Sequence, residues 1–255
     1  MDNKNEGNFW NPDNNMVESE DVKSLEGNTY TDPILANKII STYFSKVYGW
    51  MAFALLLSGL AAWLTGHNVA IQQALFTGYT PMVLFGVELA LVFGIGAAIN
   101  KLSASMCTLL FVIYSVVNGL TLGVIFLVYT EASIMSTFLV TAITFGVMSV
   151  YGFTTKSDLS SWGKILFFAL IGLIVASLVN FLLKSSMFQF IISGIGVLVF
   201  VGLTAYDTQK LKALAFSAND EESLTKLAVY GALDLYLDFI NLFLYLLRIF
   251  GSRRD

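Results

Sequence analysis

The chain is expected to fold as an all-α membrane protein, with seven transmembrane helices and the last helix central in the bundle. Three observations carry that expectation. Charged residues make up 13% of the 255-residue chain and apolar residues 56%, against about 25% and 45–50% in soluble domains. The apolar residues gather in seven runs long enough to cross a bilayer. The seventh run carries a polar stripe along one helical face. Such a composition excludes a soluble globular enzyme, a disordered chain and a basic nucleic-acid binder.

Residues 1–37 read as an acidic polar N-terminal tail that is disordered and solvated. Eight acids (Asp2, Glu6, Asp13, Glu18, Glu20, Asp21, Glu26, Asp32) and four lysines fall in residues 1–46, so this stretch carries the whole net charge of −4. It has no basic segment followed by an apolar core, so it is not a cleavable signal peptide. Residues 38–255 are the seven-helix transmembrane domain. A helix needs about 20 apolar residues to cross the hydrocarbon core. The runs fall at 47–65, 82–100, 105–128, 133–154, 165–183, 187–207 and 227–248. No alternating pattern of barrel strands occurs. Between the first two runs lies a loop, Thr65–Pro81, that includes His67, read as a loop residue. The second run contains a carboxylate, Glu88. The third contains Ser115, Gly119 and Gly123 at small-xxx-small spacing, the ordinary signature of close helix packing in lipid. Gly94, Gly96, Gly194, Gly196 and Gly202 make further close approaches plausible on the same ground. The sixth run ends in Leu203-Thr-Ala-Tyr-Asp-Thr-Gln-Lys, and the charged stretch Gln209–Lys226 leads back into the seventh. A single cysteine, Cys107, and a single histidine exclude a disulfide framework, a zinc cluster and a multi-histidine metal site.

With an odd number of spans the termini lie on opposite faces. One face gathers Lys38, Lys46, Lys101, Lys156, Lys210, Lys212 and Lys226, the other Lys184, Arg248, Arg253 and Arg254. The positive-inside rule then places the N-terminus in the cytoplasm.

Ionisable groups inside a bilayer are costly and are functional candidates by default. Four carboxylates qualify: Glu88, Asp207, Asp234 and Asp238. Glu88 is an additional intramembrane carboxylate whose simplest task is a hydrogen bond to a neighbouring helix. In the last run Asp234, Asp238, Asn241, Tyr245 and Arg248 share one stripe by their helical spacing. A polar stripe avoids lipid, so this helix turns inward and the other six surround it. The sixth and seventh helices are antiparallel neighbours, and Asp207 faces either Asp234 or Asp238. Two close carboxylates do not both ionise easily. One holds a proton, and the pair titrates as a unit. Sharing a proton, the pair latches two helices. Fully charged, it repels or recruits a cation. Calcium takes six to eight oxygen ligands, so Asp207 and Asp238 with neighbouring oxygens make a weak, transient calcium site.

Four segments carry a resemblance to a known family. They are Met148-Ser-Val-Tyr-Gly-Phe-Thr-Thr-Lys-Ser-Asp-Leu-Ser, Leu170-Ile-Gly-Leu-Ile-Val-Ala-Ser-Leu-Val-Asn, Gly202-Leu-Thr-Ala-Tyr-Asp-Thr-Gln-Lys and Gly231-Ala-Leu-Asp-Leu-Tyr-Leu-Asp-Phe-Ile-Asn-Leu-Phe. Together they resemble the Bax inhibitor-1 (transmembrane Bax-inhibitor-motif) family in its bacterial branch, over residues 38–254. The resemblance implies seven helices around the last, and a pH-dependent calcium leak. It also implies a diaspartyl pair joining the sixth and seventh helices, which falls on Asp207 and Asp238. It implies a bacterial inner-membrane location, calcium as the permeant ion and no cofactor. Bacterial relatives often carry an arginine near the end of the second helix that pairs with the sensor. Here Ala98 stands in its place, and Lys101 follows one turn later.

No enzyme is expected. An intramembrane aspartyl protease fails on Gly231-Ala-Leu-Asp, which is not Gly-x-Gly-Asp, and on the missing Pro-Ala-Leu element. A rhomboid-like protease lacks a serine partner for His67. A retinal protein would need a lysine inside the last helix. The competing reading is an interaction protein, since some bacterial relatives are associated as modulators with an ATP-dependent membrane protease. The acidic tail or the 209–226 loop would then be the docking surface.

Overall fold

The computed structural model describes residues 33–99, 101–218 and 220–254. These comprise helices α1 (Pro33–His67), α2 (Val69–Phe76), α3 (Thr80–Ala98), α4 (Ala104–Leu122), α5 (Ile125–Val128), α6 (Glu131–Thr154), α7 (Ser160–Leu183), α8 (Ser186–Leu214) and α9 (Glu221–Phe250), with one 3-10 turn at Ala215–Ser217. Seven of the helical stretches, α4 and α5 counting as one, are long and apolar enough to span a membrane. Each matches one of the expected runs. The chain divides into two compact units at Thr42–Tyr43. Of the first, the opening turns of α1 are described, and Ser41 Oγ there donates to Lys38 O at 3.0 Å. Residues 1–32 of the expected tail lie outside the described residues, and 33–37 belong to α1.

Three segments differ from the sequence-based reading. The loop Thr65–Pro81 holds a helix of its own. His67 is the last residue of α1 rather than a loop residue, and α2 follows at once. Asn68 makes this possible by accepting from Ala70 N at 3.0 Å and Ile71 N at 3.2 Å, the N-cap arrangement that satisfies otherwise orphaned donors. The charged stretch 209–226 is also mostly helical. Here α8 runs on to Leu214, and Asp220 starts α9 by accepting from Ser223 N at 2.7 Å. Finally, the third run breaks between Leu122 and Ile125.

The last helix is central. In the core window of α9, 67% is buried, against 6–44% in the other six spans. It packs on α8, α6 and α4, while α8 also packs on α6 and α7. By contrast α3 packs on α4 and α2 and leaves Met82, Val83, Phe85 and Phe93 exposed, a surface suited to lipid. Aromatic edges fill the space between α6 and α9, where Phe138 and Phe145 meet Phe239 at 5.3 and 5.5 Å between ring centres.

Small residues set the closest approaches. Ser115 and Gly119 of α4, and Gly123 just past its end, lie against α1, where Ser58 Oγ is 2.6 Å from Ser115 O. A Cβ on Gly119 would stand 2.6 Å from the Ser58 backbone, and one on Gly123 would strike Thr65. Gly152 of α6 abuts the Ala205 carbonyl of α8 in the same way, and Gly196 and Gly202 take the Tyr245 and Leu166 side chains. Gly94 and Gly194, expected at such contacts, have open space beside them.

The turn from α8 to α9 defines one end of the bundle, here the first face. At the second face the chain after α9 doubles back. Thr130 N donates to Ser252 O (3.1 Å), Arg254 N to Val128 O (2.9 Å) and Ser252 N to Ser133 Oγ (2.9 Å), making one antiparallel bridge. His67 Nε2 lies 3.3 Å from Glu131 Oε1 at this face.

Two outcomes follow for stability. Gly119→Val and Gly152→Val press a side chain into backbone and are expected to cost about 1–3 kcal/mol each, while Gly172→Ala, which meets nothing, changes stability by less than about 0.5 kcal/mol. Detergent-unfolding titrations read both. Hydrogen bonds from Ser223 hold the Asp220 carboxyl below the usual carboxylate range. A depressed folded value means the cap's contribution is complete above the unfolded value of about 3.9 and is lost as pH falls through the folded one. Asp220→Ala is therefore expected to lower the melting temperature at neutral pH, with the difference from wild type closing in strong acid. Asp220→Asn keeps the cap throughout.

Candidate functional site

The segment Tyr206–Lys212 of α8 docks on a different neighbour at nearly every residue. Tyr206 fills the space beside Gly163 of α7, where a Cβ would collide with its ring. Thr208 Oγ1 lies 3.0 Å from Ser149 Oγ of α6, which in turn contacts Tyr48 Oη of α1. Gln209 Nε2 donates to Ser157 O (2.8 Å), and its Oε1 accepts from Leu159 N (2.8 Å). Lys212 Nζ donates to Phe153 O at 3.1 Å and lies 4.8 Å from the centre of that ring. With its flanks held so firmly, α8 has one rotational setting. It turns Asp207 and Lys210, one turn apart, toward α9.

The two aspartates of α9 meet them there. The carboxyls of Asp207 and Asp238 come within hydrogen-bonding reach of each other. Lys210 Nζ lies 3.1 Å from Asp234 Oδ2 and 3.6 Å from Asp207 Oδ1. The sequence left Asp207 between Asp234 and Asp238. In the structure Asp207 meets Asp238, and the lysine bridges it to Asp234. The side chains of Asp207 and Asp234 are 13% and 20% exposed, and residue Asp238 is 5% exposed. Asp238 Oδ2 is buried without a hydrogen-bond partner among the described residues. Ionised carboxylates only accept, so a bond between two of them needs a proton on one. With that proton the four groups carry one net negative charge. Without it they carry two.

A cleft of about 680 Å³ between α7 and α8 is lined by Gly163, Phe167, Tyr206, Asp207 and Lys210. It gives the cluster a route toward the surface. In the opposite direction the stripe is closed. Asn241 Nδ2 donates to Leu237 O of its own helix at 2.8 Å. Tyr245 stacks on Phe200 with ring centres 5.8 Å apart.

The stripe of α9 thus serves several purposes. Asp234 and Asp238 belong to the cluster, Asn241 and Tyr245 to packing beyond it, and Arg248 is exposed near the second face. Glu88 lies apart, against Thr121 and Asn118 of α4, near the hydrogen bond from Tyr236 Oη to Asn118 Oδ1 (2.9 Å). Its Oε1 has no hydrogen-bond partner among the described residues. Lys101 is exposed, and no carboxylate among the described residues pairs with it. Lys210, not Lys101, pairs with the aspartates. It was missed as a site residue because it was counted with the charged connection. Its spacing from Asp207, three residues along one helix, was the available signal. Among the described residues no group of three or more His, Cys, Asp or Glu side chains is arranged to hold a metal.

Lys210→Met leaves the carboxyl groups to be neutralised by protons alone. Its melting temperature is expected to fall below that of wild type at pH 8. The gap narrows at pH 5, where proton uptake takes over from the lysine. A pH series of thermal unfolding in detergent measures this.

Comparison with known proteins agrees with the architecture. The profile of the family described as "Inhibitor of apoptosis-promoting Bax1" matches residues 40–255. "Inner membrane protein YbhL" of Escherichia coli (strain K12) is 55% identical over 218 residues, covering 84% of this chain and 93% of that one. A protein of Borreliella burgdorferi is 44% identical over 219 residues, covering 85% and 94%. One of Deinococcus radiodurans is 42% identical over 234 residues, covering 92% and 100%. With seven spans, the last of them central, and a match across all seven, the chain is an integral membrane protein that belongs to the Bax inhibitor-1 family.

Proposed function

We propose that this protein is a pH-sensitive calcium (cation) leak channel, gated by the proton shared between Asp207 and Asp238. One observation carries the reading: a buried carboxyl pair joins α8 to α9, and one of its oxygens, Asp238 Oδ2, has no hydrogen-bond partner among the described residues. While the proton is present, the pair acts as a hydrogen-bonded latch. Loss of the proton sets two carboxylates against each other in a low-dielectric interior, where like charges repel strongly. The contact loosens and its oxygens turn to a cation. Calcium is the natural occupant for hard carboxylate and amide oxygens, and a site with so few fixed ligands holds it weakly. Weak holding suits passage, because a permeant ion must leave as readily as it enters.

Lys210 is a tethered cation within the same site. It keeps Asp234 and Asp207 partly neutral while the latch is closed. A mobile divalent cation then competes for oxygens that are already half satisfied. The cleft between α7 and α8 is the entry on the first face, and the Tyr245–Phe200 stack is the barrier beyond. With the N-terminus in the cytoplasm of a bacterial inner-membrane protein, the cluster lies nearer the cytoplasmic side and reads cytoplasmic pH.

The test is calcium flux into dye-loaded liposomes holding the purified chain, with pH scanned on each side. Flux is expected to rise with pH, by up to about tenfold per unit below the midpoint, the limit for loss of one proton. Asp207→Asn and Asp238→Asn, whose amides mimic the protonated partner, are expected to give low flux that no longer follows pH. Asp234→Asn keeps the pH response. Flux no greater than in empty liposomes at any pH overturns the channel reading, and leaves the chain as a docking protein for a membrane protease.

A further inference from the structure

Three of the basic residues near the second face converge in one place. A cleft of about 510 Å³ lies there, between α7, α8 and the end of α9. Lys184, Arg248 and Arg253 line it together with the polar side chains of Asn180, Ser186 and Gln189. No carboxylate among the described residues lies within ion-pair distance of the three cations. Arg248 has one contact of its own kind, the Tyr245 ring one turn back, 5.3 Å from its guanidinium carbon.

The local backbone brings these charges in. At the end of α7, Lys184 is left-handed (φ 52°), the only described non-glycine residue with positive φ. Such a conformation is costly for a lysine, and it turns the chain from α7 into α8 beside the cleft. Asn180 Oδ1 steadies the turn by accepting from Ser185 N at 3.2 Å. Arg253 is placed by the antiparallel bridge to Tyr129. The chain thus fixes three cations from three segments around one volume, and no described residue supplies them with an anion.

The rim is of another character. Phe181 is 76% exposed, Leu182 80% and Met187 71%. These large apolar side chains stand beside the basic cleft on helices that span the membrane. A polar, cationic pocket bordered by lipid-facing hydrocarbon matches a molecule that is anionic at one end and apolar at the other. The volume lies within the range of small-molecule pockets, about 300–1,000 Å³, and two arginines favour the oxygens of a phosphate.

We propose that this cleft binds the phosphate head group of an anionic phospholipid, with the acyl chains lying along the exposed face of α7 and the start of α8. The ligand is structural or modulatory. It ties the end of α9, which carries the aspartates further down, to α7 and α8. The site is separate from the aspartate cluster, so neither stands or falls with the other.

The test uses the full chain, purified and delipidated in a non-ionic detergent. Native mass spectrometry then follows titration with phosphatidylglycerol, with phosphatidylcholine and with inorganic phosphate. Wild type is expected to retain phosphatidylglycerol in preference to phosphatidylcholine. The Arg248→Gln/Arg253→Gln double variant should lose that retention by about tenfold or more, as expected for the loss of two charge-assisted contacts. Lys184→Gly removes a charge at a position whose backbone favours glycine. It is expected to melt no lower than wild type and still to bind phosphatidylglycerol more weakly, which separates binding from folding. Lys156→Gln, in the turn between α6 and α7 at the first face, leaves retention unchanged. Equal retention of the two lipids, or retention unchanged in the double variant and Lys184→Gly, overturns the proposal. Displacement of phosphatidylglycerol by equimolar inorganic phosphate overturns the assignment to lipid and makes the site one for a free anion.

Discussion

Three carboxyl groups and one ammonium packed between two helices must come close to electrical balance, because a bare charge in a low-dielectric interior costs several kcal/mol. Much of the bundle's construction serves that balance. One lysine is not enough for Asp207, Asp234 and Asp238, and a proton between two of them brings the sum close to neutral. For the proton to be shared, the two carboxyls must stay in register. That in turn requires α8 and α9 to keep one relative rotation and one relative height. The hydrogen bonds of Thr208, Gln209 and Lys212 hold α8 to α6 and to the turn before α7. The buried residues of α9 hold the other side.

This explains why the last helix is enclosed. A helix with two aspartates and an asparagine among leucines and phenylalanines has no face to spare for lipid over those turns. Surrounding it suits both kinds of side chain at once: the aspartates meet Asp207 and Lys210 of α8, Asn241 bonds its own helix, and the aromatic ones interlock with Phe138 and Phe145 of α6. The outer helices do the opposite. The span formed by α3 is 6% buried in its core window and that of α7 11%, and their large apolar side chains face outward. Mean hydropathy marks the two extremes of this division: it is lowest in α9, the most buried span, and highest in α7, one of the two least buried.

The seven spans were legible because bilayer thickness imposes one length on every crossing helix, and composition alone satisfies that test. The central position of α9 was legible because Asp234, Asp238 and Asn241 fall on a single stripe. The choice of Asp207's partner was not. Residues four apart on a helix differ by about 40° in direction, too little to separate two candidates without knowing the rotation of the facing helix. That rotation is set by Thr208, Gln209 and Lys212, whose contacts are far apart in sequence. Lys210 escaped notice for a related reason: a charge at the end of an apolar run looks like the beginning of a loop, yet α8 stays helical to Leu214. The short helix α2 was invisible to a criterion built on spanning length, although Asn68 ahead of Val-Ala-Ile-Gln-Gln-Ala-Leu-Phe is an ordinary start signal.

The helix that the others enclose is also the last of the seven to be synthesised. Six spans enter the bilayer before their centre exists. Until α9 arrives, Asp207 and Lys210 have each other but neither Asp234 nor Asp238, and the inner faces of α4, α6 and α8 have no common surface to close on. Assembly therefore cannot proceed by adding each hairpin to a finished core. The spans α6 and α7 already have contacts with α8, but the side of α8 that carries Asp207 and Lys210 stays incomplete until the final segment arrives. Completion of the core therefore follows the insertion of six spans, by the order of the chain itself.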